Sequence, residues 1–554
     1  MKPGRVATKL ALAASLIALA ASAQAPQTND KAPIFKARSE LVLVSVVVTR
    51  SGAHVPDLKK EDFTVRENGS EQKIAVFEEV TTAPKPVRRV GEAKNEFSNF
   101  LQDEPRPSRL TIIVLDGINT PFTDQVRGRQ ELIKSLAESL RSGEPVALLS
   151  LTRSGVKMIH DFATDPRVLA AALKKARSGQ PNITQADLDA LKQAFTTEED
   201  AQQAQQSFQS ETQTIEAFVR ESQQEMTAFL RRVVITLTLQ GMQASAQAVA
   251  GIPGRKAMVW ATAGFPFTLS GFDMGQQFGE LLPLYERTWQ LLNDANIAVY
   301  PVDVRGLVNP LYIAADVRWM SPNLVTRQMD LHASTIGTFQ TFAEMTGGRA
   351  FYNRNDLDKC FEDAAQDSAS YYLLGYHLDR TGAKTGWRKL DVKVAAPHAD
   401  VRARKGFFLT DSSADPARTK QEDITLALDS PFDFTALPVE VKIRETQPSG
   451  GNRKVLLDIA IPAGSGLVNE LDNNHLSVEI VTAATDAQGK KAGGFAKTIE
   501  GHLNPETLAS IKSRGIADFT GSLDLPPGEY TLHVVVRDNT QGRMGSASGE
   551  LAVR

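Results

Sequence analysis

Four short runs of almost unbroken apolar residues constrain this chain most. They are Leu110–Asp116, Pro145–Leu151, Ala257–Ala261 and Ile297–Asp303. Each is too short for an ordinary helix and lacks the polar alternation of a strand with one wet face. Runs of this kind suit strands covered on both faces, as in a parallel sheet. Helical stretches separate them. Val126, Ile133, Leu136 and Leu140 form one stripe, and further helices are expected over 165–176, about 278–295, about 332–345 and about 355–368. Two shorter strands are expected at Val156–Phe162 and Arg349–Tyr352. Strands alternating with helices predict an α/β domain over residues 108–370, with right-handed crossovers and a doubly wound, mostly parallel sheet.

At 554 residues the chain exceeds what one core sustains, so other domains must flank this one. Residues 34–82 predict a small antiparallel β module: a β-branched run at Leu41–Thr49, then Phe63–Glu67 and Gln72–Phe77 joined through Asn68-Gly69. Residues 371–409 return to strands and are expected to complete that module. Residues 83–108 and 410–422 have linker composition. From 423 to 554, strands recur between turn residues, which predicts a C-terminal antiparallel β-sandwich of the immunoglobulin or fibronectin kind. Inside the α/β domain, residues 184–232 are rich in Gln, Glu, Ala and Thr. They predict one or two inserted amphipathic helices, either a partner-binding arm or a hairpin packed on its own domain.

Residues 1–23 have the form of a cleavable signal peptide: Lys2, Arg5 and Lys9, a short apolar run from Leu10, and Ala21-Ser22-Ala23. Cleavage there removes three cations and no acid, taking the formal net charge from −3 to −6. The expected location is therefore secreted or periplasmic, with no transmembrane span in the mature chain. Neither charge balance favours nucleic acid or another polyanion as partner. A single cysteine, Cys360, excludes a disulfide framework and any multi-thiolate metal site. No Gly-x-Ser-x-Gly elbow, phosphate-binding Gly-Lys-Ser/Thr loop or His-Glu-x-x-His pair is present. His160 is expected at a strand end and Cys360 in a core, so neither points to catalysis.

Several short motifs recur in a telling order. Asp62-Phe63 comes first, and Asp116-Gly117-Ile118-Asn119-Thr120 follows the first buried strand. Pro253-Gly254-Arg255-Lys256 leads into the Trp260 strand and Gly264. Tyr300-Pro301-Val302-Asp303, Thr346-Gly347-Gly348-Arg349 and Tyr371-Tyr372-Leu373-Leu374-Gly375-Tyr376 follow. Over roughly residues 35–409 the chain resembles the von Willebrand factor A-related proteins abundant in Acidobacteria. That resemblance implies a von Willebrand A fold, an exported protein and a binding role. It also implies a metal-ion-dependent adhesion site at the carboxyl end of the sheet, where an Asp-x-Ser-x-Ser loop, a Thr and a second Asp hold Mg²⁺ through oxygen atoms.

On that pattern Asp116 and Thr120 are the metal ligands, and Asn119, Thr262 and Asp303 join them as ligand-binding residues. The site is degenerate: Ile118 replaces the middle Ser and Ala263 the later Asp. Thr184 is the nearest candidate for the separate Thr. Two bland readings stand beside this one, in which Asp116 caps the following helix and Asp303 caps a turn. No catalytic residue is assigned. The expected function is that of an exported, non-enzymatic binding or adhesion protein that engages protein or cell-envelope ligands, with Mg²⁺ or another divalent cation as the possible cofactor. The alternatives are an envelope-associated hydrolase and a self-associating scaffold. Intact-mass measurement of the exported chain should place its N-terminus at Gln24; retention of residues 1–23 would instead indicate an anchor helix.

Overall fold

The computed structural model describes residues 39–81, 95–99, 109–138, 145–176, 209–269, 279–307, 322–379, 384–409, 416–468, 471 and 474–554. The signal peptide, Thr184, most of the expected linker 83–108 and the first half of the expected insertion lie outside the described residues.

The N-terminal strands are β1 (Ser39–Arg50), β2 (Ala53–His54), β3 (Phe63–Glu67), β4 (Ser70–Gln72) and β5 (Ile74–Thr81); β6 (Glu96–Ser98) follows. The central segment contains β7 (Leu110–Asp116), α1 (Phe122–Glu138), β8 (Val146–Thr152), β9 (Gly155–Ala163), α2 (Pro166–Lys175) and α3 (Gln209–Val249). It continues with β10 (Lys256–Thr262), α4 (Leu282–Asp294), β11 (Ile297–Asp303), α5 (Pro322–Thr346) and α6 (Leu357–Gln366). Strands β12 (Ser370–Asp379), β13 (Gly386–Val394), β14 (Asp400–Arg402) and β15 (Gly406–Leu409) come next. The rest is α7 (Pro416–Asp429), β16 (Glu440–Ser449), β17 (Asn452–Ile461), β18 (His475–Asp486), β19 (Lys491–His502), α8 (Pro505–Arg514), β20 (Ile516–Leu525), β21 (Gly528–Asp538) and β22 (Met544–Val553).

The apolar runs form one five-stranded sheet in the order β11-β10-β7-β8-β9. The first four strands are parallel, and β9 returns antiparallel as the edge. One face packs on α1, α2 and α6 through Ile113, Leu148, Val259, Tyr300, Leu132, Leu169 and Phe361. The other packs on α3, α4 and α5 through Met258, Trp260, Leu239, Trp289 and Phe342. The expected strand at Arg349–Tyr352 contracts to a single parallel bridge, Phe351 to Val302. Helix α5 begins ten residues before the expected 332.

The polar stretch expected as an insertion ending at 232 belongs to a longer element. Helix α3 runs on to Val249, and Ile235, Leu239, Met242, Ala246 and Val249 bury one stripe on the sheet. The helix thus has one half that covers the core and one half that runs beyond it. A change of composition marks where burial starts, not where the helix does.

Strand β12 lies between β1 and β5, and β13 lies between β15 and β3. The chain therefore leaves the N-terminal strands after β5 and returns to them at β12. Val44, Val46, Val48, Phe63, Tyr372, Tyr376, Leu390 and Phe407 share one core there. Beyond, two four-stranded antiparallel sheets, β20-β17-β16-β6 and β19-β18-β21-β22, share another. The chain is a multi-domain α/β protein with several antiparallel sheets.

Both linkers need correction. The first contains β6, which pairs with β16 of the C-terminal sheet. Buried Asn99 donates to the Phe434 and Leu437 carbonyls and accepts from Val439 N–H at 2.7 Å. A three-residue strand carries too little local signal to be recognised without its distant partner. The second linker and the start of the C-terminal region merge into α7, with Asp423, Ile424 and Ala427 buried on one side. Within the region expected to be wholly β, α8 starts on Asn504, which accepts from Thr507 N–H at 2.7 Å, and stops at Gly515 with φ 76°.

Several of the ordered motifs meet at the amino end of the parallel sheet. Arg255 N–H donates to the Tyr371 hydroxyl on β12 (3.1 Å), and its guanidinium donates to Gly347 O (2.6 Å). A Cβ on Gly348 would stand 2.0 Å from Val299 O, so that position admits glycine alone. Lys256 is buried, and its Nζ donates to the Gly254 and Ala295 carbonyls. Burial pushes its pKa from 10.5 down to about 7. Between those values the unfolded chain holds a proton that the folded chain does not, so this group's contribution to stability rises with pH. Melting temperatures of the wild type and Lys256→Met should therefore diverge in favour of the wild type as pH rises from 7 to 10. A constant difference across that range would contradict a neutral lysine in the fold.

Candidate functional site

The loop between β7 and α1 sits at the carboxyl end of the sheet, where strand C-termini leave a crevice in open α/β folds. Its shape follows from close packing. Gly117 N–H donates to Leu151 O on β8 (2.9 Å), and a Cβ at this position would lie 2.9 Å from that oxygen. Ile118, in the position of the expected hydroxyl ligand, is buried in the core beneath α3. The loop has turned a ligand position into a packing position.

Asp116 is 2% exposed and fully engaged. One carboxylate oxygen accepts from Ile118 N–H (3.1 Å) and Asn119 N–H (2.9 Å). The other accepts from the Asn119 side-chain amide (2.8 Å) and the Trp260 indole N–H (2.9 Å). Burial pushes the carboxyl pKa up, and the hydrogen bonds from Asn119, Trp260 and Thr262 pull it back. The helix-capping reading also shifts: Asp116 caps the amides of its own loop, while α1 opens only at Phe122, with Pro121 O accepting from Asp124 and Gln125 N–H.

The remaining candidates are used in similar ways. Thr120 Oγ1 accepts from Ala263 N–H (3.1 Å). Thr262 Oγ1 donates to Gly264 O (2.6 Å) and faces Gly264 N–H at 3.2 Å. Asn119 reaches across to Thr238 Oγ1 on α3 (3.0 Å). Asp303, two strands away, is held in its own turn: it accepts from Arg305 N–H (3.0 Å) and forms a bidentate pair with the Arg305 guanidinium (2.9 and 2.7 Å). The structure brings Asp116, Asn119, Thr120 and Thr262 together and leaves Asp303 in a turn.

These residues do not fit Mg²⁺. An octahedral cation needs free oxygen lone pairs, and each Asp116 oxygen already accepts two N–H donors. The neighbouring cavity, beside Asp116, Thr120 and Ser150, has a volume of about 20 Å³. That is room for one water, too little for a hydrated divalent ion. Among the described residues, no group of three or more His, Cys, Asp or Glu is arranged for a metal. Asp116 and Thr120, expected as metal ligands, are occupied here by N–H donors. The physical reason is Trp260, whose indole N–H satisfies the carboxylate from inside the core. Sequence reasoning used Trp260 only as a strand marker; the available signal was that a buried indole N–H requires an acceptor.

Cys360 and His160 are both engaged within the fold. Burial pushes the Cys360 thiol up to about 12, and its Sγ donates to Asp356 O. His160 lies within β9, with Nδ1 at 2.6 Å from Asp161 O.

No family model matches the chain, and no curated protein matches it. Among solved structures, it has a likeness to a β-glucuronidase of Bacteroides uniformis. Identity is 10%, the match covers 33% of this chain and 19% of that one, and the TM-score is 0.15. A match of that score carries no argument about fold or activity.

Replacing Trp260 by Phe removes one donor from a buried carboxylate and should lower stability by about 1–3 kcal/mol. Thermal unfolding with and without 10 mM Mg²⁺ should give the same midpoint for the wild type and the variant. A Mg²⁺-dependent rise in either would overturn the hydrogen-bonded account of Asp116.

Proposed function

We propose that this chain is an exported, non-enzymatic binding protein related to the von Willebrand factor A-related proteins, and that it engages protein or envelope ligands at the carboxyl edge of its parallel sheet without a metal ion. The strand order, with its antiparallel edge strand and helices on both faces, supports an A-type domain. Two four-stranded sheets around one core support a C-terminal sandwich. Export rests on the N-terminal sequence.

One observation carries the binding reading. Large exposed apolar side chains among the described residues are few, and four of them lie on segments that reach the carboxyl end of the sheet. Phe122, 48% exposed, opens α1 two residues after Thr120. Leu307, 62% exposed, follows β11. Phe229 and Val233 lie on α3 before Thr238, the residue that touches Asn119. Because α3 runs antiparallel to β10, those residues continue past the edge; Phe229 is about 14 Å beyond Thr238 along the helix. Exposed apolar groups clustered beside a crevice mark contact surfaces. With Asp116 saturated from within, the ligand is held by apolar contact and not by a carboxylate bridged through a cation.

No helix among the described residues is long and apolar enough to cross a membrane. The test is capture of ligand from a native envelope fraction on the immobilised mature chain. Phe122→Ser combined with Leu307→Ser should reduce capture at least about tenfold with no change in melting temperature, and a chelator should have no effect. Chelator-sensitive capture, or capture indifferent to the double substitution, would reject the proposal. Phe229 and Val233 also favour a second reading, self-association through α3, which concentration-dependent sedimentation of the full chain would reveal.

A further inference from the structure

A second cavity adjoins the one at the carboxyl-edge loop, and Ser150 lines both. It is an open groove of about 1160 Å³ between β9 and α2. Lys157, Met158, Ile159 and His160 line it consecutively. Ser150 and Thr152 of β8 line it as well, and the β8–β9 register shifts between Leu148 and Leu149, so a bulge at Met158–His160 lets consecutive residues of the outer strand reach one cavity. Strand β9 ends the sheet, and no further strand pairs with it among the described residues. The opposite wall is a single stripe of α2: Val168, Ala171, Ala172 and Lys175, spaced i, i+3, i+4, i+7. Two alanines in that stripe keep the helix low and the groove open. Val168 is 44% exposed and gives it an apolar patch.

The charge of the groove is one-sided. Arg153, Lys157 and Lys175 line it, and no Asp or Glu does, although the whole chain is net negative. A sheet edge supplies a row of backbone donors and acceptors, the recognition element used in strand addition. The apolar floor accepts alternate side chains, and the cations accept carboxylates. The four edge residues span about 13 Å, room for about four residues of extended chain.

We propose that this groove binds an extended acidic peptide segment of a partner protein, which adds to β9 as a further strand and places carboxylates against Lys157 and Lys175. The site adjoins the carboxyl-edge cavity at Ser150 but uses none of the apolar side chains of that edge, and it does not depend on the reading given for that edge.

The test uses the full mature chain and two fluorescein-labelled ten-residue peptides, one alternating Glu and Val and one alternating Lys and Val. The Glu-Val peptide should bind, more weakly as salt rises from about 0.05 to about 0.5 M, and should slow amide exchange at residues 157–160. Lys157→Glu with Lys175→Glu should weaken it at least about tenfold. Ala171→Trp, which fills the groove from an exposed helix position, should do the same. Phe122→Ser with Leu307→Ser should leave it unchanged, which separates failure here from failure at the carboxyl edge. Equal binding of both peptides, unaltered exchange at 157–160, or affinity unaffected by the charge reversal would overturn the proposal. So would no binding to the full chain, including the case in which residues 177–208, which follow Ala176 at the end of the groove, fill it themselves.

Discussion

Every residue of β10 is buried, so each polar group on it must find its partner inside the protein. This one requirement organises both ends of the parallel sheet. At the amino end Lys256 donates to two backbone carbonyls, and the preceding Arg255 reaches Gly347 O and the Tyr371 hydroxyl. At the carboxyl end the Trp260 indole meets Asp116, and Thr262 closes the Gly264 turn. A strand that is covered on both faces and carries polar groups at both ends must anchor its surroundings tightly.

The same logic explains why the carboxyl-edge loop looks like a cation site in sequence and not in structure. A carboxylate withdrawn from water needs either a cation or several N–H donors. Here four donors converge, and one comes from an indole that the neighbouring strand buries for packing. Ile118 then completes the core beneath α3 instead of facing a ligand. The electrostatic demand of Asp116 is met internally, which leaves the surrounding edge to be defined by Phe122, Leu307 and the overhanging part of α3.

Helix α3 also joins the parts. Its C-terminal turns take Thr435, whose N–H donates to Gln247 O and whose hydroxyl donates to Ala248 O. Close by, a Cβ on Gly251 would lie 1.8 Å from Thr435 O. Buried Asp423 on α7 pairs with Arg537 of β21 and faces Arg287 of α4 at 3.5 Å. At the other side Ser45 of β1 donates to Asn296 before β11. Along that side of β1, Leu41 and Leu43 face outward, whereas Ser45 and Val47 are buried.

The parallel strands were legible because burial on both faces leaves a continuous apolar run, and the Asn68-Gly69 turn and the α2 boundaries were legible because turn and cap chemistry is local. Residues Asp116, Asn119, Thr120 and Thr262 were legible as neighbours, since strand order fixes which loops meet. Their chemistry was not, because it depends on which donor arrives from a distant strand. Strand β6 and the full length of α3 escaped for a related reason: three residues acquire strand character only against β16, and a helix crossing from a polar to an apolar stretch shows no local break. Sequence alone therefore determined the strand-helix alternation and the position of the carboxyl-edge loop, through periodicity and turn residues. Only tertiary structure decided that Asp116 is satisfied by Trp260, that β9 is the edge of the sheet among the described residues and lies beside a basic groove, and that a fragment of linker belongs to a distant sheet, because each of these depends on contacts between residues far apart in the chain.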